Sequence, residues 1–178
     1  MGIPTLISTS TASNASSVDI TSGLDSTYDE YMFVCTGIGP ATDAANLTVQ
    51  FNAAGGSGFN ETMTTTTFQN THTENDDTAA INYATGIDQA QGSGYQVFIY
   101  GIGNAADESG AGILHVFSPA STTYVTHFYG RSSSYFDGPG ETETFVAGYV
   151  NATAAMDEIS FKMSSGNFDG VIQMYGIA

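Results

Sequence analysis

Asp157-Glu158-Ile159-Ser160-Phe161-Lys162-Met163, followed after a polar break by Val171-Ile172-Gln173-Met174-Tyr175-Gly176-Ile177, decides the class of fold. In the first run Ile159, Phe161 and Met163 alternate with Glu158, Ser160 and Lys162. That period of two places successive side chains on opposite faces of a strand. Ser164 to Asn167 accept turn geometry, and Phe168-Asp169-Gly170 leads the chain back. The second run is apolar in both phases, with Val171 and Tyr175 set against Ile172 and Met174, and reads as a strand interior to a sheet. Together the runs predict a C-terminal hairpin whose last strand pins the chain into the core.

Working outward, the same signature recurs. Tyr28 to Ile38 is apolar on both faces at its centre, which predicts a middle strand ended by Gly39-Pro40. Asn46 to Asn52 alternates with Leu47, Val49 and Phe51 inward. Tyr95 to Ile102, Gly112 to Ser118, Thr122 to Gly130 and Thr144 to Asn151 read as further strands, and Ala79 to Tyr83 as a short one. The Thr/Asn-rich stretch from Phe59 to Asp77 reads as a weak strand or a long loop, its threonines favouring extended backbone. Arg131 to Glu141, which holds Pro139, reads as a long loop. At the start, Pro4-Thr5-Leu6-Ile7 is an edge strand or an arm lying on a neighbour, and Ser8 to Ser17 reads as irregular.

No segment keeps a 3.6-residue period, so little helix is expected. Eight to ten short strands punctuated by Gly, Pro, Ser and Asn predict an all-β, two-sheet β-sandwich. The long loops favour a jelly roll over tight up-and-down hairpins. The domain reading is an arm over residues 1–17 and one sandwich domain over 18–178.

Charge narrows the partners. The formal net charge is −16, with 18 acids against only Arg131 and Lys162. Phosphate backbones and anionic membrane surfaces are held by clustered cations, so neither nucleic acid nor membrane is expected. No apolar run approaches the roughly 20 residues of a membrane span. Met1 to Ile7 lacks the basic and apolar regions of a secretory leader. With only 11% charged residues, solubility rests on Ser, Thr, Asn and Gly, which suits an extracellular, salt-exposed or particle-borne β protein. Cys35 has no disulfide partner and reads as a buried, inert thiol.

Catalytic signatures are missing. No Gly-x-Ser-x-Gly elbow frames a nucleophile. His115 and His127 fall on adjacent candidate strands and, with Asp107 or Glu108, would make a metal set; the plainer reading is a strand histidine among aromatic neighbours. The acidic groups Glu74, Asp76, Asp77 and Asp25, Asp29, Glu30 match no calcium-loop spacing and read as solvated loops. Glu141 and Glu143 lack the Trp platforms of a sugar-cleaving cleft. The Asn-x-Ser/Thr triplets at Asn14, Asn46, Asn60 and Asn151 are expected by chance in this composition. No cofactor or metal is therefore expected.

Three stretches carry a resemblance: Val18 to Val34 followed by Leu47-Thr48-Val49-Gln50-Phe51 and Gly55-Gly56; Ser109 to Val116; and Asp157 to Ile177. In these, and above all in Tyr28 to Val34 and Tyr175-Gly176-Ile177, the chain resembles small structural proteins of marine and aquatic tailed bacteriophages. Those occur as capsid decoration proteins or as parts of tail and fibre assemblies. The resemblance implies a non-enzymatic role on the virion surface, as a homotrimer bridging major capsid proteins. A tail-fibre module recognising a host glycan through Ser132 to Asp137 is the alternative, and a self-assembling extracellular filament a weaker one. Candidate assembly contacts are Pro4, Leu6 and Ile7 in the arm, Arg131 as an anchor for a neighbour's carboxylate, and the adjacent aromatics Tyr135 and Phe136.

Overall fold

Strict alternation of buried and exposed side chains along Thr126–Tyr135 shows how this chain builds its layers. A computed structural model describes residues 2–178 as thirteen strands in two antiparallel sheets. In chain order these are β1 (Thr5–Ala15), β2 (Val18–Ile20), β3 (Glu30–Pro40), β4 (Ala45–Ala53), β5 (Met63–Thr73), β6 (Ala79–Tyr83) and β7 (Ala90–Gly92). Then come β8 (Gln96–Ile102), β9 (Gly110–Phe117), β10 (Thr126–Tyr135), β11 (Gly140–Val150), β12 (Met156–Met163) and β13 (Phe168–Ile177). The large sheet runs β1-β13-β3-β9-β10-β11-β5-β6, with β7 also on β5; the small sheet runs β2-β12-β4-β8. The all-β sandwich expected from the sequence is what forms, with more strands than the eight to ten expected. Every strand of the small sheet is reached from the large one and returns to it.

That traffic corrects the reading of the C-terminus. β12 pairs with β2 and β4, whereas β13 pairs with β1 and β3. The Ser164–Asn167 break is thus a crossing between sheets, not a hairpin turn. β13 is interior to its sheet, as its two apolar phases require.

Two other stretches also differ from expectation, and a third takes the strand form of its two alternatives. Ser8 to Ala15, read as irregular, belongs to β1, the edge strand beside β13, with bulges between Leu6 and Ser8 and between Ala12 and Ala15. Phe59 to Asp77 contains β5, paired with β11 from Met63↔Val150 to Thr73↔Gly140. Arg131 to Glu141 is no long loop: β10 and β11 pair from Thr126↔Val150 to Tyr135↔Glu141, leaving a turn over residues 136–139. In all three, hydrophobic alternation is weak because Ser and Thr occupy the inner positions.

The core lies between the sheets. Phe33 meets Phe161 at 5.7 Å and Phe51 meets Phe128 at 5.4 Å between ring centroids, each pair joining one sheet to the other. Phe98 on β8 is fully buried and lies over Gly112 and Gly130 of the large sheet. Beside it, Ser132 and Ser134 donate hydroxyl hydrogen bonds to the Phe98 and Tyr100 carbonyls at 2.7 and 2.6 Å. The sheets are therefore joined by apolar contact and by directed hydrogen bonds, which hold their relative setting more tightly than burial alone.

Towards β5 the interior turns polar. Gln96 is fully buried; its Oε1 accepts from Thr65 Oγ1 at 2.7 Å, and its Nε2 donates to the Ile87 carbonyl at 2.8 Å. On the small sheet's far side, Gln50 donates to the carbonyls of Glu61, Ser93 and Gly94. Connecting segments thus cover the small sheet, while the outer face of the large sheet has no such cover.

Candidate functional site

Antiparallel register places outward residues of the large sheet in rows across its strands. One row reads Tyr83, Phe68, Phe145, Arg131, Ile113, Val34, Gln173 and Thr9 from β6 to β1. The next reads Thr66, Ala147, Tyr129, His115, Met32, Tyr175 and Leu6. A third reads Thr64, Tyr149, His127, Phe117, Glu30 and Ile177. Of the nine large apolar residues exposed among those described, six stand on this face: Leu6, Phe68, Ile81, Tyr83, Ile113 and Tyr129. Exposed apolar side chains scattered singly need no explanation, but a concentration of this kind marks a contact surface.

How the rings stand decides what they can touch. Phe68 and Phe145 stack at 4.6 Å with only 9° between planes, and the Arg131 guanidinium lies 5.3 Å from the Phe145 centroid. His115 and Tyr129 stack at 4.8 Å, and Phe117 and Tyr129 at 5.5 Å. Cross-strand spacing of about 4.8 Å suits ring-on-ring stacking. These rings therefore use their faces on one another and turn edges outward. A sugar platform needs free ring faces, and a protein surface fits between edges.

Two carboxylates of this area have side-chain partners within the chain. Glu143 pairs with Arg131 across the β10–β11 ladder, and Glu30 Oε1 lies 2.6 Å from His115 Nδ1. His115 and His127 sit diagonally on β9 and β10 and take separate partners, His127 packing on Tyr149 at 5.9 Å. Glu30, not Asp107 or Glu108, is the carboxylate His115 meets. Among the described residues, no group of three or more His, Cys, Asp and Glu side chains could hold a metal ion.

The candidate contacts read from the sequence separate. Arg131 lies at the centre of the face and Leu6 at its β1 end. Tyr135 closes β10 beside a polar hollow lined by His72, Glu74 and Glu141, its hydroxyl donating to Glu74 Oε1 at 3.2 Å. Partial desolvation, and then the Glu74 charge, raise that phenol above its ordinary value. Phe136 sits in the β10–β11 turn, bridged to Ile102. Pro4 is exposed ahead of β1, and Ile7, at the first bulge, packs against the core. The Ser132–Asp137 stretch is not an exposed loop, because Ser132 and Ser134 are buried in β10. The exposed aromatics on β5, β6, β10 and β11 escaped the sequence reading. Their one signal is the same-phase pairing of Phe145 with Tyr149 and of His127 with Tyr129, with Val146 and Gly148 in the opposite phase on β11.

Cys35 faces the core, where burial pushes its thiol pKa up. Lys162, on the small sheet, holds its Nζ 3.9 Å from the Tyr95 ring centroid, so the two cations of the chain stand in different sheets. No protein-family model matches the chain, and no curated protein and no solved structure is similar enough to count as a relative.

Proposed function

We propose that this is a non-catalytic structural protein of a phage virion, a capsid decoration protein that stabilises the head by bridging major capsid proteins. The observation that carries the reading is the outer face of the large sheet. It spans the sheet, is rich in exposed aromatic and apolar side chains, and offers ring edges to a protein partner. The resemblance of Val18 to Val34 and of Asp157 to Ile177 to phage structural proteins supplies the particle. The acidic, polar-neutral remainder of the surface suits a molecule exposed on one.

Glycan recognition by a tail-fibre module loses its main support, since the loop it relied on is a half-buried strand. What remains for it is the hollow at Tyr135, where Glu74, Glu141 and His72 offer hydrogen-bonding groups beside one aromatic ring.

Quantitative mass spectrometry of the native particle carrying this chain tests the role, read as copies relative to the major coat protein. Decoration requires near-stoichiometric copies, in the hundreds as an order of magnitude for a closed shell. A few tens would move the protein to the tail. Absence from particles would overturn the virion reading.

A further inference from the structure

We infer that the outer face of the large sheet is occupied by a second copy of this chain, face to face about a twofold axis. The inference rests on reading that face as a protein contact surface, and it names the partner. Three observations carry it: symmetry, charge and area.

The exposed rings form one contiguous patch on one face. Two identical molecules can both bury such a patch only by applying it to itself, which is an isologous, twofold contact. A trimer, as the phage resemblance implies, would need two different complementary patches. At the centre Arg131, directly opposite Phe145, pairs with Glu143 on the diagonal of the β10–β11 ladder. A twofold axis passing near them sets each Arg131 against the other copy's Glu143, so the one cation of the face finds a carboxylate on both sides.

Charge leaves few other ways together. Each chain carries a formal −16, and like-charged surfaces repel. On this face Glu143 is paired with Arg131 and Glu30 is hydrogen-bonded to His115, Glu141 stands at its far end, and acids such as Asp76, Asp77, Asp107 and Asp137 lie in loops.

The area is sufficient. Seven strand spacings by three residue rows give roughly 30 by 20 Å, about 600 Å² per copy. A pair then buries about 1,200 Å² in all, the lower end of specific interfaces. Face-to-face packing of two sheets is the geometry already used inside the molecule. A pair also presents two identical remaining surfaces, which is what bridging two capsid proteins requires.

Sedimentation equilibrium of the purified full chain from about 1 to about 200 µM tests it. The expected result is a monomer–dimer equilibrium reaching twice the 18.5 kDa chain mass. Raising salt from about 0.05 to about 0.5 M should tighten it, because screening removes more repulsion between the chains than attraction at Arg131. Ile113→Glu, at a position 40% exposed, should weaken the pair at least tenfold, and Phe68→Ser should act likewise; Tyr124→Ser, away from the face and 74% exposed, should not. Circular dichroism confirms that each variant folds, and with two face variants a misfolded one leaves the other to decide. A monomer at every concentration, a trimer, or a pair indifferent to both face variants would overturn the inference. Copy number on the particle reads the virion role separately, so the two can fail independently.

Discussion

Gly130→Ala tests how the two sheets close on each other. Gly130 lies buried on the inner side of β10, opposite Leu114 on β9 and Val146 on β11. A Cβ there would stand 2.7 Å from Phe98 Cε2, 3.1 Å from Cδ2 and 3.2 Å from Leu114 Cδ1. The first distance is well inside carbon–carbon contact, which is optimal at about 3.5–4.0 Å. Phe98 has little freedom to swing aside, because it is fully buried and its Cζ end already rests close over Gly112. One added methyl must therefore push the ring or part the sheets locally. Overpacking of this kind costs about 1–3 kcal/mol, against about 0.4–1 kcal/mol gained by restricting the unfolded chain. The net effect is destabilising. For a chain of this length each kcal/mol lowers Tm by about 2–4 °C. Equilibrium urea unfolding followed by tyrosine fluorescence reads the loss, since the chain has no Trp. Phe98→Leu in the same molecule should recover at least about 0.5 kcal/mol relative to the sum of the single changes. A neutral or stabilising Gly130→Ala, or strict additivity with Phe98→Leu, would refute the slot geometry.

Other changes probe separate parts of the molecule. Gln96→Ala strands the Thr65 hydroxyl and the Ile87 carbonyl in the interior and should cost about 1–3 kcal/mol in the same urea assay. Cys35 is buried with its thiol pKa raised, so a thiol reagent at mildly alkaline pH should label it only at the rate of unfolding; prompt labelling of folded protein would contradict its burial. Asp25 is held below its ordinary pKa by hydrogen bonds from Thr27 and then from Tyr31, so its ionised form is the one the fold favours. Its contribution is present above the unfolded carboxylate value and is lost as pH falls through the depressed one. Asp25→Asn should accordingly flatten the acid limb of Tm against pH below about 4, and an unchanged limb would count against that linkage.

How much of this was legible in the sequence depends on what fills the inner positions. β3, β4, β8 and β12 bury Phe33, Phe51, Phe98 and Phe161, and their apolar residues announce them. β1, β5 and the start of β11 bury little but Ala, Thr and Met; with no large apolar residue to alternate, the period of two is silent. The β12–β13 connection failed for another reason. A four-residue polar turn between two apolar runs looks the same whether the runs pair or pass to opposite sheets, and only the partners of each strand decide. For the site, Arg131 and Leu6 lie on the face, but the outward turn of the aromatics that make it a surface is not written in the sequence. Their size and chemistry are those of core residues, and nothing local says which way they point.

What fixes their direction is volume. A shift of β10 by one residue would exchange its faces, burying His127, Tyr129, Arg131 and Ser133 in place of Phe128, Gly130, Ser132 and Ser134. Apart from Arg131, neither set is the more hydrophobic by a wide margin. Yet only the second leaves room for Phe98, which lies over Gly130 and whose carbonyl takes the Ser132 hydroxyl. A Tyr or His in that layer would hold the sheets apart. Small inner residues thus admit the second sheet, and bulky partners in the same strands are left facing outward. The aromatic outer face is the complement of a close inner fit. Its exposure follows from how the two sheets pack.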